Sequence, residues 1–261
     1  MKCITLLTDF GLQDGYVGVM KGVILSIAPE TRLIDISHEI HAQDVQEASL
    51  VLERAAPYFP AGTVHLAVVD PGVGTQRRPI AARLGGGFFV GPDNGLLTGL
   101  IETAERKKAA VQVVHLNQPR YWLPQVSNVF HGRDIFAPVA AHIANGVELE
   151  AMGTPIHDEV RLQRPLPKFE HGRWLGQVLI IDRFGNLSTN ITRQDLRDTH
   201  QVEVIIKNQS ITSLVLAFGN AQPGELVTLI DSDDRLSICV INGSAAAVLK
   251  AAVGDPVEVW I

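Results

Sequence analysis

The sequence predicts an α/β N-terminal domain with a mostly parallel sheet, followed by a small all-β, barrel-like C-terminal domain. Three observations carry this. Over the first 146 or so residues, short apolar runs alternate with segments of helical periodicity, the pattern of strand–helix–strand units with right-handed crossovers. Beyond residue 173 the helical periodicity gives way to short strand-like runs separated by turn residues. Between the two, Arg161 to Gly172 (RLQRPLPKFEHG) holds two prolines and no apolar periodicity, as a linker does. The predicted organisation is therefore an α/β domain over 1–160, a linker over 161–172 and a barrel-like domain over 173–261.

Taken in order, Ile4 to Thr8 is a short apolar run that ends at Asp9. A helix pattern follows, with Asp14 as N-cap, Val17, Met20, Ile24 and Ile27 on one face, and Pro29 as the stop. Leu33 to Ile36 reads as a strand. Asp44 caps the next helix, whose face is Ala48, Val51, Leu52 and Ala55. Thr63 to Val69 is apolar almost throughout, as a strand buried on both faces should be. Phe88 to Val90 and Val111 to Leu116 add two strands, with a helix from about Gly95 to Ala104 between them. Ile135 to Ala144 is a last helix, with Gly146 just past its end. In the C-terminal part the strand-like runs are Leu175–Ile181, Val202–Ile206, Leu226–Ile230, Leu236–Ile241 and Val257–Ile261. Asn208, Pro223-Gly224, Asp231 to Asp234 and Gly254-Asp255 punctuate them. No internal repeat is visible.

Of the 261 residues, 46% are hydrophobic, 19% charged and 6% aromatic, a globular composition. The net charge of −6 argues against nucleic acid, since binding along a phosphate backbone needs clustered Lys and Arg. The basic pairs Arg77-Arg78 and Lys107-Lys108 are too short for a groove. Cys3 and Cys239 sit in separate apolar runs and read as reduced, buried thiols. Met1 to Leu7 runs straight into a strand pattern without the features of a signal peptide, and no run is long enough to span a membrane. The expectation is a cytoplasmic protein without a membrane partner.

In a parallel sheet, ligands bind outside the carboxyl ends of the strands. Asp9 follows the first strand and Asp70 the third, each succeeded by chain-bending residues, Phe10-Gly11 and Pro71-Gly72. Either could simply close an Asx-turn. The segment Asp70 to Arg78 (DPGVGTQRR) lacks the Gly-Lys-Ser/Thr ending of a P-loop. It reads as a turn with solvated arginines, or as an Asp and an Arg held across a Gly-rich turn to polarise a water. His131, in FHGRD (Phe130 to Asp134), is a structural imidazole or a catalytic one. His38-Glu39-Ile40-His41 lacks the spacing of a metal motif and reads as a solvated loop. In DRFGNLSTNI (Asp182 to Ile191), Phe184 offers a face to stack on, and Asn186 a donor and an acceptor suited to an adenine edge. Asp231 to Asp234 (DSDD) reads as a polar turn.

The series TDFG (Thr8 to Gly11), HEIHAQDV (His38 to Val45), VVDPGVGTQRR (Val68 to Arg78), GPDNGLL (Gly91 to Leu97), FHGRD and DRFGN (Asp182 to Asn186), in this order, resembles the SAM hydroxide adenosyltransferases. These are the SAM hydrolases related to the fluorinating and chlorinating enzymes. The likeness runs from Thr5 to the closing VGDPVEV (Val253 to Val259). It implies hydrolysis of S-adenosyl-L-methionine (SAM) to adenosine and methionine by attack of water at the ribose C5′. It also implies a homotrimer, with SAM between the N-terminal domain of one subunit and the C-terminal domain of its neighbour. SAM is the substrate, and the resemblance implies neither cofactor nor metal.

Carried over by motif, Asp9 holds the ribose hydroxyls, and Asp70, Arg77 and His131 position and activate the water. Phe130 and Phe184 line the adenosine site, and Asn186 contacts the adenine. Asp182 pairs with the methionine ammonium, and Ser232 contacts its carboxylate. Halogenating relatives carry Tyr where Asp70 stands, which favours hydrolysis over the alternatives of a halide-using SAM-cleaving transferase or a non-catalytic SAM- or adenosine-binding protein. The chain departs from the family at Asp231 to Asp234, where an Asn-Ser followed by an apolar residue and Gly is usual. Methionine leaves a sulfonium as a neutral thioether, so the water is the partner that needs help. The resemblance gives Asp70 and His131 its proton and Arg77 the developing hydroxide.

Overall fold

The structure is a computed structural model that describes residues 2–197 and 202–261. Met1, at the head of the predicted first strand run, and residues 198–201 of the predicted barrel-like domain lie outside the described residues. The chain divides into two compact units, Met1–Leu162 and Gln163–Ile261.

In the first unit the chain forms β1 (Cys3–Thr8), α1 (Tyr16–Ile27), β2 (Arg32–Ser37), α2 (Val45–Ala55), β3 (Val64–Val68), β4 (Pro79–Leu84) and β5 (Gly87–Pro92). It continues through α3 (Thr98–Arg106), β6 (Val111–Leu116), a π-helical turn (Gly132–Phe136) that leads into α4 (Ala137–Ala144), α5 (Leu149–Met152) and β7 (Gly153–Ile156). The sheet order is β2-β1-β3-β5-β4-β6-β7. Strands β2, β1, β3 and β5 pair in parallel, while β4 pairs antiparallel with both β5 and β6, and β7 antiparallel with β6. Five strands thus point one way, and β4 and β7 the other.

The period-two alternation of the strands distributes their side chains between two layers. Ile4, Leu6, Val64, Leu66 and Val68 pack into the core that also holds Met20 and Ile24 of α1 and Val139 and Ala140 of α4. Leu7, Ala67, Ile80 and Ala82 pack into the core that holds Ala48 and Leu52 of α2 and Ile101 of α3. A helical layer on each face makes a three-layered unit. Complete burial of each of these Leu and Ile side chains stabilises by about 2 kcal/mol relative to exposure.

Local signals set the helix starts unevenly. Asp44 caps α2 as predicted, its Oδ1 accepting from Glu47 N–H at 2.8 Å. Asp14 does not cap α1: Gly15 takes the N-cap place at φ 72°, with no side-chain cap. Strands β4 and β7 have no counterpart among the predicted elements. Each contains a proline, β4 carries Arg83 as well and β7 has only four residues, so each is set by pairing with neighbours rather than by its own apolar pattern.

The second unit comprises β8 (Lys168–Glu170), β9 (Arg173–Ile181), β10 (Leu187–Thr192), β11 (Glu203–Ile206), β12 (Gln209–Ile211), β13 (Leu226–Ile230), β14 (Arg235–Val240), α6 (Ala245–Leu249) and β15 (Pro256–Trp260). Its sheet is antiparallel in the order β12-β11-β15-β9-β10-β14-β13, with β8 also on β9. A bridge between Leu214 and Thr228 of β13 nearly closes it into a barrel. Val204 and Ile206, Leu236 and Ile238, and Val257 and Val259 alternate inward to fill it. The stretch predicted as a linker holds more than a connection. Lys168–Glu170 pairs with the start of β9, and the Phe169 and Trp174 rings meet at 5.1 Å. Polar–apolar–polar alternation over three residues, after two prolines, is too short a pattern to signal that strand.

Candidate active site

Strands β1 and β3 are parallel neighbours, with Thr8 opposite Val68, so the residues that follow them leave the sheet at the same edge. Asp9 and Asp70 emerge there, as the strand-end reading requires. A tight turn doubles the chain back after Asp70: Val73 N–H donates to Asp70 C=O, Thr75 N–H to Gly72 C=O and the Thr75 hydroxyl to Gly72 C=O. Gly74 makes it possible. Its φ is 76°, and a Cβ there would stand 2.3 Å from the Asn128 carbonyl oxygen.

The turn returns Arg77 onto Asp70. Arg77 Nε donates to Asp70 Oδ1 at 2.9 Å, and Nη2 donates to Oδ2, a fork-on-carboxylate pair. The same Nη2 lies 3.0 Å from His131 Nδ1, and the guanidinium sits over the Phe136 ring at 5.3 Å. Spacing alone could not choose between adjacent arginines. Arg78 departs in another direction, to Asp93 and Asp158 at 2.8 Å each.

His131 stands at the N-cap of the π-helical turn, a distortion that is frequent at functional sites. Burial, and next the Arg77 charge, push its imidazole below the usual histidine range, against the pull of Asp70 and Asp134. It is therefore neutral near pH 7. A guanidinium can only donate, so Nδ1 is the acceptor in this contact and the ring proton is on Nε2. Asp134, fully buried, anchors the turn. Its oxygens accept from Ser127 N–H at 2.8 Å and from Arg133 Nε at 2.6 Å. Burial raises that carboxyl, but these hydrogen bonds outweigh it and hold it below the usual carboxylate range.

A cavity of about 300 Å³ opens at this edge, lined by Asp9, Gln43, Asp70, Phe130 and His131 among others. Arg77 is not among its lining residues; it lies behind Asp70 and His131. Asp9 Oδ2 accepts from Gln43 N–H at 2.8 Å. Phe130 meets Phe10 and Tyr16 edge-to-face, at 6.1 and 5.2 Å, as an aromatic rim. Gln43, which the sequence reading leaves unassigned, has a φ of 67°, unusual for a side-chain-bearing residue and concentrated at functional sites. His38 departs from the solvated-loop reading: it is buried, while His41 is exposed. Among the described residues no group of His, Cys, Asp or Glu could hold a metal ion, and no helix is long and apolar enough to cross a membrane.

In the second unit the DRFGN turn connects β9 to β10. Asp182 Oδ1 accepts from Phe184 N–H and Asn186 N–H at 2.8 and 2.9 Å, and Oδ2 accepts from Asn186 Nδ2 at 2.7 Å. The side chain of Phe184 is left 76% exposed, a large apolar face without cover in this chain. In the DSDD turn, read from the sequence as a polar turn, Asp231 and Asp234 go to separate partners. Asp231 faces inward, accepting from the Ser188 and Ser237 hydroxyls and from Asp233 and Arg235 N–H. Asp234 pairs with Arg193 at 3.0 Å, and Ser232 remains exposed. Burial, then the charges of Asp182 and Asp231, push the Cys239 thiol up to about 12, so both turns bear on one buried sulfur.

A three-layered α/β unit with a carboxylate–arginine–histidine cluster at its strand ends, joined to an antiparallel barrel-like unit, defines a class of two-unit enzymes. Models of the SAM hydroxide adenosyltransferase N-terminal and C-terminal domains match residues 4–153 and 176–258. The chain belongs to the SAM hydroxide adenosyltransferase family. It is 40% identical over 259 residues to an (R)-S-adenosyl-L-methionine hydrolase of Salinispora tropica, covering 98% of this chain and 97% of that one. It is 29% identical over 270 residues to a fluorinase of Actinoplanes sp., covering 90% and 89%. Its structure resembles the crystal structure of an uncharacterized conserved protein from Thermotoga maritima, with a TM-score of 0.91 and 40% identity over 99% of this chain and 100% of that one.

Proposed function

We propose that this protein hydrolyses SAM to adenosine and L-methionine by attack of water at the ribose C5′. The observation that carries the reading is the arrangement at the strand ends. Asp70 and His131 line the same cavity as Asp9, and Arg77 ties the first two together from behind. The water oxygen forms its bond to C5′ as the C5′–S bond breaks, and the bonding pair returns to sulfur. Methionine departs as a neutral thioether without needing an acid. The water's proton passes to Asp70 and from there to solvent. His131 Nδ1 is occupied by Arg77, so the imidazole serves as an Nε2–H donor that orients the water, not as its base. Arg77 acts through Asp70 and His131. Holding water in line with the sulfur supplies several kcal/mol of the barrier reduction.

Asp9 receives the ribose hydroxyls, Phe130 and Phe184 face the adenosine, and Asn186 reads the adenine edge. Asp182 takes the methionine ammonium and Ser232 the carboxylate. The reaction so drawn needs no cofactor or metal. The working form is a cytoplasmic homotrimer in which the second unit of a neighbouring subunit completes each site. Purified protein given SAM and a chelator should yield adenosine and methionine, and in isotopically labelled water the label should appear on C5′. Methylthioadenosine, S-adenosylhomocysteine or a 5′-halogenated nucleoside as product, or bound SAM with no turnover, overturns the reading.

A further inference from the structure

Asp9 stands in the bend that follows β1, between Thr8 and Gly11, where Phe10 packs against the first core and meets Tyr16 and Phe130. The polar support beneath the bend comes from one buried imidazole. His38 is 4% exposed, at the end of the chain segment leaving β2, and it touches the Asp9 turn twice. Its Nδ1 lies 2.8 Å from Thr8 Oγ1, and its carbonyl oxygen accepts from Gly11 N–H at 2.8 Å. The two contacts bracket Asp9, one residue before it and two after. The Thr8 hydroxyl oxygen already accepts from Phe10 N–H at 3.2 Å, so its own proton is available to donate to Nδ1. Acceptance at Nδ1 puts the ring proton of a neutral His38 on Nε2, which stands 3.1 Å from Asp35 Oδ1, off the axis of a straight hydrogen bond. Asp35 is itself fixed by Lys21 at 2.6 Å. The segment from His38 then runs to Gln43, whose N–H donates to Asp9 Oδ2. The same short stretch thus fixes the turn that carries the carboxylate and one of the carboxylate's oxygens.

We propose that His38 is a positioning residue for ribose recognition: through the Thr8 hydroxyl it sets the direction in which Asp9 presents its carboxylate to the cavity. The inference rests on the reading of Asp9 as the ribose-binding group. It gives a buried histidine that touches no reacting atom a defined effect, on discrimination for ribose hydroxyls and not on bond breaking.

The test uses the full-length protein and two ligands, adenosine and 2′,3′-dideoxyadenosine, with affinities measured by calorimetry, kinetics on SAM and a melting curve for each variant. Wild type should prefer adenosine by about tenfold or more, the scale of a lost charge-assisted hydrogen bond. His38→Leu and Thr8→Val should bring that preference close to one while leaving dideoxyadenosine affinity unchanged. KM for SAM should rise by about tenfold, with kcat changing by less than about threefold. His38→Asn, which returns an acceptor near the Nδ1 position, should recover part of the preference. If His38→Leu does not fold, Thr8→Val carries the test. Variants that keep the wild-type preference, or that lose affinity for both ligands equally, overturn the positioning role. A wild type that does not distinguish the two ligands overturns the underlying reading of Asp9 instead.

Discussion

At Asp70 the carboxylate is 5% exposed and lies against a guanidinium that is 7% exposed, so each charge has exchanged most of its water for the other. Such a pair adds little net stability, but removing one partner strands the other charge at a cost of about 3–5 kcal/mol. Asp70→Asn should therefore act twice. Turnover should fall by about 100-fold or more through loss of the base, and the melting temperature should fall because Arg77 loses its partner. SAM affinity should move far less, since the carboxylate faces the nucleophile. Calorimetry, single-turnover rates and melting on this variant separate the effects, and parallel loss of affinity and turnover would make Asp70 a structural residue. A second buried histidine gives a pH prediction. His65, 6% exposed and hydrogen-bonded to Thr5 Oγ1 at 2.8 Å, is pushed down to about 4 by burial. In the unfolded chain it titrates near 6.5, so between these values the unfolded state binds the extra proton. Stability should therefore fall as pH drops from about 6.5 toward 4, by about 3 kcal/mol at full extent, and level off below. Denaturant titrations across that range should show the slope. In His65→Asn, which keeps a polar partner for Thr5 without titrating, the slope should flatten.

The turn between β3 and β4 shows what an element contributes that its residues do not. Asp70 and Arg77 are seven apart in sequence, and the chain brings them into contact only because Gly74 adopts a left-handed conformation against the Asn128 carbonyl. Gly74→Ala should cost about 1–3 kcal/mol in stability. It should also lower kcat, because Asn128 precedes the segment that presents Phe130 and His131. Gly146→Ala is the matched control. Its φ of 89° is equally unfavourable for a side chain, but nothing lies within 4 Å of a Cβ there. It should lower the melting temperature and leave kcat unchanged. Equal kcat in the two variants would mean that the turn does not transmit strain to the site. The strong elements were legible in the sequence for physical reasons. β1 and β3 are buried throughout and largely apolar, and α2 has a true Asp44 cap, whereas β4, β7 and β8 owe their conformation to the strands beside them.

At the scale of the whole molecule, the groups assigned to ribose and water belong to the first compact unit and those assigned to adenine and methionine to the second. The proposed homotrimer assembles them from different subunits. Light scattering should show three chains, and mixing Asp9→Ala with Asn186→Ala protein should restore part of the activity that each lacks alone. A fully active monomer, or no recovery on mixing, would place both sets of groups within a single chain.

The sequence by itself determined the family, the two-part architecture and the identity of the groups at the strand ends. These follow from motif order, from the change of apolar period after the 161–172 stretch and from the rule that parallel strands present ligand sites at their carboxyl ends. Only the tertiary structure decided that Arg77 rather than Arg78 meets Asp70 and His131, that His131 carries its proton on Nε2, that His38 is buried beneath the Asp9 turn and that Asp231 points inward. Each of these depends on where a side chain goes after a turn, and on which donor reaches it from a distant part of the chain. Local pattern records how a segment folds; direction and protonation are fixed where the chain doubles back on itself, as at Asp70 and Arg77, or meets a distant segment, as Arg77 meets His131 and His38 meets Thr8.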